Sequence, residues 1–265
     1  MRVVEPDSGE MACGTFGPGR LSEPERIVAA ALEMLTEAAA RRAQDLAGER
    51  ILITAGATRE ELDPVRFLSN RSSGRMGFAL AEAARARGAE VTVVAGATSA
   101  EPPAGVQLVR ALSTEEMRAA VMKEVVDASV FIGAAAVADY RPARRAESKI
   151  KKSGERLTLE LEPTPDILAE VSAHRRNGLV VVGFAAETDD VLGHARAKLE
   201  RKGLDAIVAN DVARADAGFD ATTNVISIIT KESGAPLEFP LMSKLDAAHR
   251  ILDEVARLRG RQNGK

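Results

Sequence analysis

One cysteine, Cys13, one tyrosine and no tryptophan stand out first in this 265-residue sequence. A lone thiol excludes an internal disulfide framework and a multi-thiolate metal site. The three histidines, His174, His194 and His249, are scattered without ligand spacing, so no structural metal is expected. Aromatic residues make up 3% of the chain, too few for a platform that stacks single-stranded nucleic acid. The core must therefore be built from the alanine, valine, leucine and isoleucine that dominate a hydrophobic fraction of 45%. No apolar run approaches the roughly 20 residues that span a bilayer. The opening MRVVEPDSGEMACG also lacks a signal-peptide apolar region. A formal net charge of −3 gives no attraction to nucleic acid or an anionic membrane. A cytoplasmic protein with neither partner is expected, its basic residues acting locally on small anions.

What is present is an alternation of periods. Residues 1–20 show none and read as loop. Helical spacing begins near Leu21, with Ser22 and Pro24 as start signals, and ends before Gly48. From Arg50 the pattern changes. ILIT (51–54) is a buried strand, followed by a polar loop to about Ser73 and a helix from Gly74. VTVVAG (91–96), VQLVR (106–110) and SVFIG (129–133) read as strands, with Ser113 and Glu116 as a capping box for an intervening helix to Val126. Residues 134–156 form a long loop. LTLELE (157–162) alternates like a half-exposed strand. A helix from Pro165, strand LVVVGF (179–184), helix 189–202, strands AIVAN (206–210) and NVISIIT (224–230) and a helix over 241–259 follow. Strand–helix–strand alternation of this kind predicts an α/β fold: a Rossmann-like open, mostly parallel sheet with helices on both faces. The expected division is 1–48, a terminal segment with a linker helix, and 49–265, the α/β domain.

In such sheets ligands sit beyond the carboxyl ends of the strands. The loops there carry the unusual residues. Segment 55–77 holds no G-x-G-x-x-G and no Walker A sequence. It does hold Asn70, Arg71, Ser72, Ser73, Gly74, Arg75 and Gly77, leading into a helix whose N-terminus would favour an anion. Ser72 or Ser73 would otherwise be a simple N-cap. The loop 134–156 carries Asp139, a ribose or Mg²⁺ ligand or else a turn residue, and the cluster Lys149, Lys151 and Lys152. Those lysines are either solvated surface or compensation for a polyphosphate. Lys198 and Lys202 share one helix face after GFAAET. Cys13 has no histidine near it in sequence, so a catalytic nucleophile is not expected there.

Taken together, these runs resemble one family. ITAGATREELDPVRFLSNRSSGRMG (53–77), GAAAVADYRP (133–142), KIKK (149–152), PTPDILAE (163–170), GFAAET (183–188), KLERKGLDAIVANDV (198–212) and FDATTNVISII (219–229) are similar to the phosphopantothenate–cysteine ligase half of the bifunctional bacterial CoaBC proteins. The resemblance covers about residues 50–260. Segment 4–21, with Cys13, resembles the end of the flavin-dependent decarboxylase half. On that likeness residues 1–48 would be a decarboxylase remnant, with neither FMN nor decarboxylase activity expected.

The resemblance implies CTP, 4′-phosphopantothenate and L-cysteine as ligands, Mg²⁺ with the triphosphate, and a homodimer. It implies catalytic roles for Asn70 and Lys149, and phosphopantothenate binding by Arg66, Asn70, Ser72, Ser73 and Gly74. It further implies nucleotide binding by Gly133, Ala134, Ala135, Ala136, Val137, Asp139, Lys149, Pro165, Asp166, Ile167, Leu168, Phe184, Lys198 and Lys202, with Asp139 a possible Mg²⁺ ligand. Two other readings stay open: an NAD(P)-binding oxidoreductase and a catalytically silent nucleotide-binding protein. The sequence leaves open CTP against ATP.

Overall fold

The computed structural model describes residues 3–10, 16–20, 22–42, 44–152, 154, 156–176, 178–187, 190–211, 221–233 and 235–263. The chain divides into two compact units, Met1–Asp45 and Leu46–Lys265.

In the first unit, β1 (Asp7–Glu10) pairs antiparallel with β2 (Phe16–Arg20), and α1 (Pro24–Arg42) follows. The reading of residues 1–20 as loop is corrected here. Ladder pairing needs only backbone groups, and a short hairpin with glycine and proline in it shows no apolar alternation. Pro24 occupies the first helical position, where its missing N–H costs nothing. Ser22 donates to the Glu5 carbonyl at 2.6 Å. Cys13 lies outside the described residues.

The second unit opens with β3 (Arg50–Ala55), then a hairpin of β4 (Arg59–Glu61) and β5 (Phe67–Ser69), then α2 (Arg75–Ala86) and β6 (Glu90–Ala95). Next come β7 (Gln107–Arg110), α3 (Thr114–Glu124) with a short 3-10 turn (Val125–Asp127), and β8 (Val130–Gly133). A second small hairpin joins β9 (Tyr140–Pro142) to β10 (Leu161–Pro163). The chain continues through α4 (Ile167–Ala173), β11 (Val180–Glu187), α5 (Val191–Lys202), β12 (Ala206–Asp211), β13 (Thr223–Thr230), β14 (Leu237–Ser243) and α6 (Lys244–Asn263).

Eight strands make one sheet in the order β14-β13-β12-β11-β8-β3-β6-β7. The six from β12 to β7 run parallel, and β13 and β14 are antiparallel additions at one edge. The expected α/β class and mostly parallel sheet are found. Alternating side chains face opposite layers, as the twofold period of a strand requires. Ile51 and Ile53 pack with Leu80, Ala84, Ile251 and Val255 of α2 and α6 on one face. Leu52 and Phe131 pack with Met117, Val171 and Leu199 of α3, α4 and α5 on the other. The α3 start is the capping box read from sequence: Ser113 accepts from the Glu116 amide, and Glu116 closes back on the cap. Among the described residues no helix is long and apolar enough to cross a membrane.

Three expectations are corrected. The polar loop after β3 contains the β4–β5 hairpin, too short to show a period. The strand expected over 157–162 is paired only at Leu161–Pro163, because its partner β9 is three residues long. Residues 241–243 belong to β14 and not to the last helix, which begins at Lys244. Pro240 in LEFPLMS hid that strand, since proline is tolerated only where a ladder N–H is dispensable, as at an edge.

Ile53 lies at the middle of β3 and is 0% exposed. Ile53→Ala should cost about 2–5 kcal/mol of stability. Urea unfolding would show a lower midpoint at unchanged slope. A loss below about 1 kcal/mol would contradict this account of the core.

Candidate functional site

Strand order reverses between β3 and β8. From β3 the chain moves outward through β6 and β7, then returns to β8 and proceeds the opposite way through β11 and β12. Loops leaving the carboxyl ends of β3 and β8 therefore diverge, and a crevice opens between them. A cavity of about 710 Å³ lies there, with walls from four parts of the chain.

One wall is the segment from Asn70 into α2. Gly74 caps that helix at φ 81°, a backbone conformation that favours glycine, and the cap makes no side-chain hydrogen bond. The N-cap reading of Ser72 or Ser73 is thereby corrected. Ser72 Oγ instead receives the Gly74 amide at 3.4 Å, and the Ser73 carbonyl accepts from Ser99 and Ala100. The first-turn amides of α2 are left available to an anion. Gly77 lets the helix approach the sheet, since a Cβ there would lie 2.6 Å from that of Ala55.

The second wall is the backbone of Gly133–Asp139, pinned in place by β3 and its loop. The Ala135 amide donates to Thr54 Oγ1 at 3.1 Å, Ala136 to the Gly56 carbonyl at 2.8 Å, and Ala138 to Thr58 Oγ1 at 2.9 Å. Thr58 Oγ1 is 3.1 Å from Thr114 Oγ1, which donates to the buried Glu60 at 2.7 Å. Asn70 Nδ2 donates to the Val137 carbonyl at 2.9 Å, joining the two walls. Asp139 is exposed at the rim, its carbonyl receiving the Thr164 amide.

The third wall is Thr164–Leu168 with Phe184 and α5. Lys198 donates to the Phe184 carbonyl at 2.9 Å, and Lys202 pairs with Asp166 at 2.7 Å. Burial pushes the Asp166 carboxyl up, but Lys202, the Ala169 amide and Lys198 outweigh it and hold it below its ordinary value. The spacing of four between the lysines puts both on the face that meets the cavity.

The fourth wall was missed by sequence reading. Asn210, Asn224 and Lys244 line the cavity, and Lys244 Nζ donates to Asn224 Oδ1 at 2.9 Å. Asn224 and Lys244 are nearly buried, at 2% and 7% exposure. The usable signal was the matched runs 198–212 and 219–229, which contain Asn210 and Asn224, and for Lys244 only its place at the start of a helix.

The cavity thus gathers Asn70, Ser72, Ser73, Gly74, Gly133, Ala134, Ala135, Ala136, Val137, Asp139, Pro165, Asp166, Ile167, Leu168, Phe184, Lys198 and Lys202. It does not include Arg66 or Lys149. Arg66 lies in the β4–β5 turn, paired with Asp63, and Lys149 is exposed on the loop after β9. Basic groups stand at two ends, Lys244 near α2 and Lys198 with Lys202 near Phe184, so the cavity suits a molecule or pair of molecules with two anionic ends.

The chain is similar to known proteins. The family model described as DNA/pantothenate metabolism flavoprotein C-terminal domain matches residues 46–258. The coenzyme A biosynthesis bifunctional protein CoaBC of Vibrio cholerae is 49% identical over 241 residues, 90% of this chain and 58% of that protein. Its Bacillus subtilis counterpart is 46% identical over 264 residues, 99% of this chain and 63% of that protein. The chain therefore spans about three fifths of the length of these curated relatives. Among solved structures, the C-terminal domain of a coenzyme A biosynthesis bifunctional protein CoaBC matches with a TM-score of 0.70 at 40% identity, over 81% of this chain and 97% of that one. A Cab2 variant in complex with phosphopantothenate-cysteine matches with a TM-score of 0.69 at 18% identity, over 91% of this chain and 94% of that one, a likeness of fold.

Thr58→Val keeps shape but leaves the Ala138 amide without its acceptor. A loss of about 1–3 kcal/mol is expected, with faster hydrogen exchange at Ala138; unchanged exchange would show that Thr58 does not hold this wall. Acid should also act through carboxylates held low, among them Asp166 and Glu170, the latter by Arg118. Their contribution is complete above the unfolded values near about 4 and is lost as pH falls through the lower folded values. Denaturant midpoints should be level above about pH 5 and decline below about pH 4. A midpoint that rises on acidification would contradict those pairs.

Proposed function

The chain belongs to the family of the DNA/pantothenate metabolism flavoprotein C-terminal domain, and from that premise we propose that it joins 4′-phosphopantothenate to L-cysteine at the expense of CTP. The observation that carries the reading is convergence. Segments far apart in sequence, each matching the ligase pattern, line a single cavity at the switch point of the sheet.

The chemistry fits what the walls offer. A carboxylate is a poor electrophile, so it must first acquire a leaving group. Its oxygen attacks the α-phosphorus of CTP, the bond to the β-phosphate oxygen breaks, and pyrophosphate departs. The cysteine amine then attacks the acyl carbon of the resulting acyl cytidylate. CMP leaves with the electrons of the broken acyl C–O bond, and the amine loses a proton. No protein nucleophile is required, so the enzyme's part is positioning and charge compensation.

The rigid Gly133–Val137 peptide presents backbone donors and acceptors for a base edge. Lys198 and Lys202 face the nucleotide phosphates, and Lys149 approaches them from its loop. Asn70, Ser72, Ser73 and the N-terminus of α2 take the phosphopantothenate end. Lys244 adds a positive charge beside that helix. Mg²⁺ would travel with the triphosphate, neutralising its charge when bound. Asp139 is the carboxylate at the rim that would meet it, and among the described residues no three-ligand His, Cys, Asp or Glu group exists to hold a resident ion. Such a donor set suits an ion held mainly by substrate phosphates. The proposed assembly is a homodimer. An NAD(P) reading is disfavoured by the missing glycine fingerprint.

The test is pyrophosphate release by the purified chain with phosphopantothenate, Mg²⁺ and either CTP or ATP, with and without cysteine. CTP-dependent release that cysteine accelerates, with CMP formed, is expected. Release with neither nucleotide would sink the ligase reading. Lys149→Gln should slow the first step on the order of 10²-fold. Asn70→Asp, which sets a carboxylate against the Val137 carbonyl, should release about one equivalent of pyrophosphate and then stall before cysteine is joined.

A further inference from the structure

We propose that Asp63 is a positioning residue: its carboxylate holds the Lys149 segment in register with the hairpin that delivers Asn70. The inference rests on the ligase reading above, and it concerns a residue that lines no part of the cavity.

Asp63 sits in the turn between β4 and β5, its side chain 0% exposed. Oδ1 accepts from the amides of Val65 at 2.8 Å and Arg66 at 2.9 Å, the closure of an Asx turn. That alone would satisfy the hairpin. Oδ2 does something else. It accepts from Arg66 Nε at 2.9 Å and Nη2 at 2.6 Å, and from the Ile150 amide at 3.1 Å. Arg66 Nη2 also donates to the Ile150 carbonyl at 2.6 Å. Both backbone polar groups of Ile150 are thus captured by one ion pair that is more than 80 residues distant, the separations being 84 and 87.

Ile150 directly follows Lys149. Upstream, the segment is laced to the same region: Ala146 donates to the Leu62 carbonyl at 2.9 Å, and Arg145 pairs with Glu61. Ile150 is the last of these anchors, and the described residues from Lys151 to Glu160 are all exposed. The hairpin tip therefore fixes the backbone of this loop one residue past the lysine. The other end of the hairpin, β5, runs straight into Asn70, itself fastened to the Val137 carbonyl. One small element governs both residues assigned to the chemistry.

The Asp63 carboxylate is a durable acceptor. Burial pushes it up, but the Ile150 and Val65 amides and Arg66 outweigh that and hold it well below the usual carboxylate range. A lysine is a point charge on a flexible stem, so its effect on a developing phosphate charge depends on where its backbone is held.

Asp63→Asn keeps size and the Oδ1 acceptor of the turn, and replaces Oδ2 by a donor that serves neither Ile150 nor Arg66. The experiment compares the rate of CTP-dependent pyrophosphate release for the full chain, D63N, Lys149→Ala and the double variant. D63N alone should slow release about 30-fold, while on the Lys149→Ala background it should cost less than about twofold. Amide exchange at Ile150 and Ala146 should quicken in D63N, with Ile53 and Val93 unchanged. Should D63N fail to fold, Ile150→Pro removes the same hydrogen bond from the other side and should slow release comparably. Equal losses in both backgrounds, or Ile150 exchange that does not change, would overturn the proposal. A wild-type chain that releases no pyrophosphate would sink the ligase reading instead, and the exchange measurement would still decide whether Asp63 holds the segment.

Discussion

The reversal of chain direction between β3 and β8 is the constraint on which the rest depends. Two neighbouring parallel strands send their loops apart, and the gap between those loops has to be either filled or used. Here it is bridged at the base and open above. Thr54, Gly56 and Thr58 accept the amides of Ala135, Ala136 and Ala138, so the Ala134–Ala138 peptide just beyond β8 is anchored along its length though it is no longer strand. A buried backbone needs partners for its polar groups. In meeting that need, the loop after β3 also builds the floor of the cavity.

The same economy runs through the packing. With few aromatic residues, layers are filled by small and branched aliphatic side chains, and elements come close. Gly77 brings α2 against Ala55, and Gly183 makes room for Leu168 and Leu204, where a Cβ would lie 2.8 Å from each. That closeness carries the α2 N-terminus and the α4 start to the crevice from opposite faces of the sheet. On the α2 face, buried Arg87 donates to the His249 carbonyl at 3.1 Å and to Asp253 at 3.0 Å, tying α2 to α6. Since α6 begins at Lys244, this tie also keeps that lysine at the cavity wall. The helix that stabilises the core and the helix that supplies a cation are one element.

Much of the fold was legible because burial on both faces of a parallel sheet leaves continuous apolar runs. ILIT, VTVVAG, SVFIG and LVVVGF all became strands, and the Ser113–Glu116 capping box opened α3 as read. The failures share a cause. The β1–β2, β4–β5 and β9–β10 pairs are only a few residues long, and their stability comes from partners elsewhere and not from a local pattern. β14 is an edge strand interrupted by Pro240, so its alternation was broken. In the site, motif likeness pointed to the loops at the strand ends; Asn224 lay inside the matched run 219–229 without a role attached to it, and Lys244 lay in no matched run and looked like an ordinary helix start.

By itself the sequence determined the α/β class, the parallel core, the order of the chemistry-bearing loops and the family to which they belong. Periodicity and local spacing are encoded residue by residue, and burial reads them out. Tertiary structure alone decided which groups meet. Lys198 and Lys202 share a helix face from spacing, yet only the sheet order brings them opposite Asn70. Asp63 and Ile150 are 87 residues apart, and nothing in either neighbourhood announces the other. Their bond exists because an extended hairpin and a returning loop happen to pass at hydrogen-bonding distance, which is a property of the folded path and of no local stretch of chain.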